Sequence, residues 1–139
     1  MRKLTLTLFC ITFFYNIISS QNIAINEVVA SNNAIIADEN GEYEDFIEIY
    51  NYDTVSVNLE GFGLTDDEAE PFQWVFPNIT LQPNAYLLVW ASKNDKTAPT
   101  QPLHTNFKIS ASGEVITLTH SNGSLLNLAP ATALEADTS

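Results

Sequence analysis

Residues 38–51 read DENGEYEDFIEIYN, and the two halves of that stretch point to different kinds of protein. Carboxylates on Asp38, Glu39, Glu42, Glu44 and Asp45 crowd around Gly41 and run straight into Phe46-Ile47-Glu48-Ile49-Tyr50. The second half is strand-like, because β-branched and aromatic side chains suit a pleated, half-buried surface. In an extended chain Ile47 and Ile49 share one face, opposite Phe46, Glu48 and Tyr50. The first half has two readings. As a calcium loop it offers oxygen donors from Asp38, Asn40, Glu42 and Asp45 beside a glycine that permits a sharp bend. As a turn it needs nothing bound, since Asn and Gly accept left-handed angles and Asp bonds its own backbone. The helix–loop–helix calcium pattern places its glycine sixth, whereas Gly41 falls fourth from Asp38, and no helices flank it. The turn therefore leads, and calcium is the one cofactor the stretch would accommodate.

Working outward, short apolar runs alternate with turn residues. Ile23–Val29 opens the series, with Ile25 and Val29 able to share a face. Val55, Val57 and Leu59 alternate with Ser56 and Asn58, and Gln73–Phe76 ends at Pro77. Tyr86–Trp90 is almost continuously apolar, which places it in the middle of a sheet. Val115–Thr119 and Leu125-Leu126 flank Ser121-Asn122-Gly123-Ser124. Asn-Gly tolerates positive φ at both central turn positions, so a hairpin is expected there. No segment shows a 3.6-residue apolar period. The pattern is that of an all-β sandwich.

Met1-Arg2-Lys3 followed by the apolar run Leu4–Ile18 and Ser19-Ser20 reads as a cleavable signal peptide over residues 1–20. The run is shorter than the ~20 apolar residues that span a bilayer. The expected domain covers residues 22–128, and residues 129–139 read as a flexible tail. The only cysteine, Cys10, leaves with the signal, so the mature domain forms no internal disulfide and depends on burial, or on an ion, for stability. Lys93, Lys96 and Lys108 then face 17 acids, a balance of 3 against 17, or −14. That charge argues against nucleic acid, which needs clustered Lys and Arg, and against anionic membranes. No membrane insertion is expected once the signal is cut.

The ordered pieces IAINEVVASN (residues 23–32), GEYEDFIEIYN (41–51), VNLEGFGLTDD (57–67), WVFPNITLQPNAYLLVWAS (74–92) and HTNFKISASGEVITL (104–118) resemble the bacterial form of the lamin tail domain. The resemblance runs from Ile23 to about Leu126. It implies an immunoglobulin-like β-sandwich that is not an enzyme and serves adhesion or targeting, with a protein or cell-surface component as partner. Export places it in the medium, at the cell surface or in the periplasm. The chain departs from the pattern near its end, where relatives continue into a further strand. Here LLNLAP (125–130) either closes the sheet or leaves an open edge.

Other constellations carry less chemistry. Glu27 and Glu48, on neighbouring strands, are a conceivable acid–base pair, and with the 38–45 cluster Glu48 would define a divalent-metal hydrolase. The alternative is that both face solvent or accept hydrogen bonds. Asp66-Asp67 reads as a loop start. His104 and His120 match no zinc spacing; His104 is expected to order a loop, and His120 to sit exposed at a strand end. Ser112, in SASGE, lacks the elbow that exposes a nucleophile. Trp74, Trp90, Phe62, Phe72, Phe76, Phe107 and Tyr86 could line a sugar-binding face, the basis of a carbohydrate-binding alternative. A sandwich without disulfides first needs such rings in its core, and Trp74, Phe76 and Trp90 are assigned there. Tyr43, Tyr50 and Tyr52 remain as an exposed contact patch.

Overall fold

The computed structural model describes residues 22–131. The expected signal peptide, and the tail from residue 132 on, lie outside the described residues. Among the described residues ten strands occur: β1 Ile23–Val29, β2 Phe46–Asn51, β3 Val57–Asn58, β4 Gly63–Thr65, β5 Trp74–Val75, β6 Thr80–Leu81, β7 Tyr86–Trp90, β8 Leu103–His104, β9 Glu114–Thr119 and β10 Leu125–Ala131. One sheet has the order β1-β2-β7-β8 and the other β10-β9-β4-β5, with β3 and β6 pairing as a separate ribbon. All pairings are antiparallel except β7 with β8. The result is an immunoglobulin-like β-sandwich.

Alternation in β2 follows the sequence pattern. Ile47 and Ile49 are buried in the core between the sheets, together with Val89 of β7 and Leu64, Ile116 and Leu118 of the opposite sheet. Each such side chain contributes roughly 1.5–3 kcal/mol by leaving water. Trp74 and Phe76 enter the same core edge to face, with centroids 4.8 Å apart. Phe62 and Phe107 are also buried, whereas Phe72 and Tyr86 are exposed.

Trp90 is buried too, but in a second cluster with Val29 and Phe46, against which Leu88 packs. Phe46 meets Trp90 edge to face at 5.9 Å. Phe46 points away from Ile47, so this cluster occupies the outer face of the first sheet. It is covered where two long connections converge, β1–β2 and β7–β8. The Ala91 amide donates to the Asp45 carbonyl there. The site described below lies at this convergence.

Three expectations change. Ile25 and Val29 do not share a face: Ile25 is in the main core and Val29 in the outer cluster. The register of β1 against β2 shifts between Ile25 and Glu27, and one extra residue reverses the facing of everything after it. At the β9–β10 hairpin only Gly123 has positive φ, at 89°. The Gly123 amide donates to the His120 carbonyl and the His120 amide to the Ser124 carbonyl. This is a tight turn closed by one left-handed glycine, not a turn with two left-handed centres. Lastly, the residues after Leu128 do not begin a loose tail. Ala129, Pro130 and Ala131 pair with Ile116, Val115 and Glu114, so LLNLAP forms the sheet edge. Pro130 fits there because it has no amide to offer a further strand.

Candidate functional site

The acidic stretch folds first on itself. Asp38 Oδ1 accepts the backbone amides of Asn40 at 2.8 Å and Glu42 at 2.9 Å. The Asp38 amide donates to the Glu42 carbonyl and the Gly41 amide to the Asp38 carbonyl. Gly41, at φ 83°, supplies the left-handed step that this closure requires. Burial pushes the Asp38 carboxyl up, but the Glu42 and Asn40 donors together outweigh it and hold it below the usual range.

The four residues expected as calcium donors are not gathered around one point. Asp38 Oδ1 is taken by backbone amides, and Asn40 turns its Nδ2, a donor, toward Asp38 Oδ2 at 3.3 Å. Asp45 Oδ1 accepts the Asn32 amide at 3.1 Å, and burial pushes its carboxyl up. Among the described residues, the acidic and imidazole ligand atoms that converge within 4.8 Å are those of Asp38, Glu39 and His104.

Glu39, one of the two acids omitted from that expected set, reaches the β7–β8 side of the molecule. Its Oε2 lies 3.0 Å and its Oε1 3.2 Å from Nε2 of His104, and Lys96 Nζ lies 2.5 Å from Oε1. The Lys96 ammonium first, and the His104 ring second, hold the Glu39 carboxyl down at about 2. His104 is 0% exposed. Its Nδ1 is hydrogen-bonded to Ser92 Oγ at 2.7 Å, and that hydroxyl also accepts the Asn94 amide at 3.3 Å. His104 therefore does order a loop, joining the acidic turn to the β7–β8 connection. The chain Ser92–His104–Glu39 contains the residue types of a catalytic triad, but Ser92 is only 4% exposed and its hydroxyl is spent holding the ring.

Two buried amides act in the same way and were not singled out in the sequence. Asn32 Nδ2 donates to the carbonyls of Ile36 at 2.7 Å and Glu44 at 2.8 Å, while its Oδ1 accepts the Ile35 amide. Asn51 is 0% exposed. Its Nδ2 faces the carbonyls of Val55, Leu81 and Gln82 at 3.0–3.1 Å, and its Oδ1 accepts the Asp53 amide. The available signal was positional: each asparagine ends an apolar run and begins a loop, where a side-chain amide can satisfy stray carbonyls.

The tyrosines divide. Tyr50 and Tyr86 are register partners across β2 and β7 and stack at 4.4 Å with an 18° interplanar angle. Tyr52 joins them at 6.3 Å from Tyr50. Tyr52 and Tyr86 are each more than half exposed. Tyr43 is equally exposed but precedes the opposite end of β2, so it stands apart from this group. Glu27 and Glu48 are register neighbours on half-exposed strand positions, and Glu48 Oε1 accepts Asn26 Nδ2 at 2.7 Å. Asp67 Oδ1 caps the Ala69 amide, as a loop start should. Ser112 bonds Ser110 in an exposed turn. His120 is half-buried rather than exposed, packing at 4.6 Å on Phe62 while its Nδ1 accepts the Asn122 amide.

Fold and site together define a class: an immunoglobulin-like β-sandwich without an internal disulfide, whose long loops are fastened by buried amides and an imidazole. The family profile of the lamin tail domain matches residues 18–131, and the chain belongs to that family. No curated protein matches the chain.

Proposed function

We propose that this is an exported, non-catalytic accessory module that makes protein or cell-surface contacts in adhesion or targeting. The observation that carries the reading is the aromatic group at one end of the first sheet, half-buried Tyr50 with the exposed Tyr52 and Tyr86. Tyrosines offer a large amphipathic contact area at low entropy cost, and here the strands beneath already hold two of them. Membership of a family of non-catalytic immunoglobulin-like domains supports the same reading. The apolar start of the sequence supports export, to the medium, the cell surface or the periplasm. The strongly acidic balance supports a partner other than nucleic acid.

The stacked rings also favour carbohydrate as a second reading, since pyranose faces pack on exposed aromatic planes. One experiment separates the two. Labelled protein is bound to intact cells of the source organism and, in parallel, to a glycan array. A Tyr52→Ala/Tyr86→Ala variant, altered only at exposed positions, should bind cells at least tenfold more weakly. Undiminished binding overturns the patch. Array binding that vanishes in Tyr50→Ala or Tyr52→Ala replaces the protein partner with a glycan.

A further inference from the structure

We propose that Asp38, Glu39 and His104 form a binding site for one divalent first-row transition ion, of which zinc is the natural probe. Asp38 and Glu39 lie on the β1–β2 connection, and His104 comes from β8, 65 residues beyond Glu39. One ligand atom from each lies within 4.8 Å of the others.

Two of the three donors are already oriented. His104 is fully buried, and its Nδ1 is held by Ser92 Oγ, which is itself fixed by the Asn94 amide. A metal-binding imidazole characteristically has its other ring nitrogen hydrogen-bonded, which sets the ring angle and the tautomer. Ser92 Oγ can accept from Nδ1–H, and that tautomer leaves the Nε2 lone pair facing the two carboxylates. Asp38 is held by the Asn40 and Glu42 amides on Oδ1, leaving Oδ2 with only the 3.3 Å contact to Asn40.

The third donor, Glu39, currently pairs with the Lys96 ammonium. Both side chains are about one-third exposed, and the lysine stem can swing into water. A divalent ion would take over the role of that ammonium. It would balance two carboxylates and take the Nε2 lone pair of the ring, with the ring proton on Nδ1 toward Ser92 Oγ. Ligand atoms around a tetrahedral zinc, at about 2.0–2.2 Å from it, stand closer together than the present spread. Of the three donors, the Glu39 side chain, about one-third exposed, has the most room to adjust. The donor chemistry selects the ion: imidazole with carboxylates suits zinc and its neighbours, whereas calcium takes about 6–8 oxygens.

The test is isothermal titration of zinc chloride into tag-free chain stripped with chelator, with calcium chloride in parallel. One zinc per chain, with no calcium uptake at the same concentration, is the expected result. Glu39→Gln keeps an acceptor for the ring but loses the charge, and should weaken zinc at least tenfold. Ser92→Ala touches no ion and should still weaken it about 10–100-fold. Lys96→Met removes the competing ammonium and should tighten binding, the reverse of what a merely structural cluster predicts for losing an ion pair. His120→Ala should bind zinc as the parent does. Absence of stoichiometric zinc, equal uptake of calcium, or parent-like affinity in folded Glu39→Gln would each overturn the site.

Discussion

The backbone amide of Ile25 donates to Oδ1 of Asn127, 3.1 Å away across a sequence separation of 102 residues. Ile25 lies on β1, the edge of one sheet, and Asn127 on β10, the edge of the other. Both strands shift register beside this bond, between Ile25 and Glu27 and between Leu125 and Asn127. A side chain therefore closes the corner of the sandwich where no strand ladder does.

Asn127→Ala should release that corner. The expected cost is about 1 kcal/mol, read as a drop of about 4 °C in melting temperature. Hydrogen exchange of the Ile25 amide should accelerate more than that of Ile47 or Ile49, deep in the same sheet. Unchanged protection at Ile25 would mean that the bond does not fasten the edge.

Asn51 carries more weight, because its buried amide answers three carbonyls and one backbone amide. Asn51→Ala should cost about 3 kcal/mol in denaturant unfolding, since each stranded buried group carries a desolvation penalty. Asn51→Asp should be worse than alanine, because it turns a negative oxygen toward the carbonyls of Val55, Leu81 and Gln82.

Glu39 gives the fold an acid-sensitive contact. Its carboxyl is lowered from 4.5 to about 2, chiefly by Lys96 and then by His104. A carboxyl depressed in the folded state adds stability above its unfolded value and loses it as pH falls through the folded one. The stability gap between the parent and Glu39→Gln should therefore be full near neutrality, shrink below about pH 4.5 and close near pH 2. The side chain is about one-third exposed, so solvent screening keeps the gap small. A gap independent of pH would show that the charge contributes nothing.

Asp45 has the opposite sign. Burial raises its carboxyl above the usual value, against the pull of the Asn32 and Ser31 amides. An acid raised by folding is a penalty above its folded value that disappears once pH drops below the unfolded one. Asp45→Asn keeps the acceptor for Asn32 and removes the buried charge. It should melt at or above the parent at pH 7, with the advantage fading on acidification.

Gly63, on β4 in the interior of its sheet, has no room for a methyl group. A Cβ there would collide with the Pro71 carbonyl oxygen and Phe72. The carbonyl belongs to the backbone, so the neighbour cannot simply rotate away. Gly63→Ala should cost about 1–3 kcal/mol, whereas Gly123 has open space around it and objects only through its φ of 89°. Thermal melting of both variants compares the two costs.

Several parts of this architecture were readable in advance because they are local. Ile47 and Ile49 alternate with Glu48 and Tyr50, and the structure places them on opposite faces. Tyr86–Trp90, almost without polar interruption, is flanked by strands on both sides. The hairpin around Asn122-Gly123 forms where turn residues interrupt two apolar runs. Where one inserted residue matters, the same reasoning fails. Val29 lies four residues after Ile25 and should share its face, but the bulge turns it outward onto Phe46 and Trp90.

By itself, then, the chain's order of residues determined an all-β sandwich lacking an internal disulfide and rich in acid. Those properties follow from period-two burial, turn chemistry and composition, each contained within a few neighbouring residues. Only tertiary structure decided which acid mattered. Glu39 meets His104 across 65 residues, and Tyr50 finds Tyr86 where its run of neighbours had suggested Tyr43. Such partnerships depend on how loops fold over a finished sheet and on strand register. A single bulge can reverse that register without leaving a local mark in the sequence.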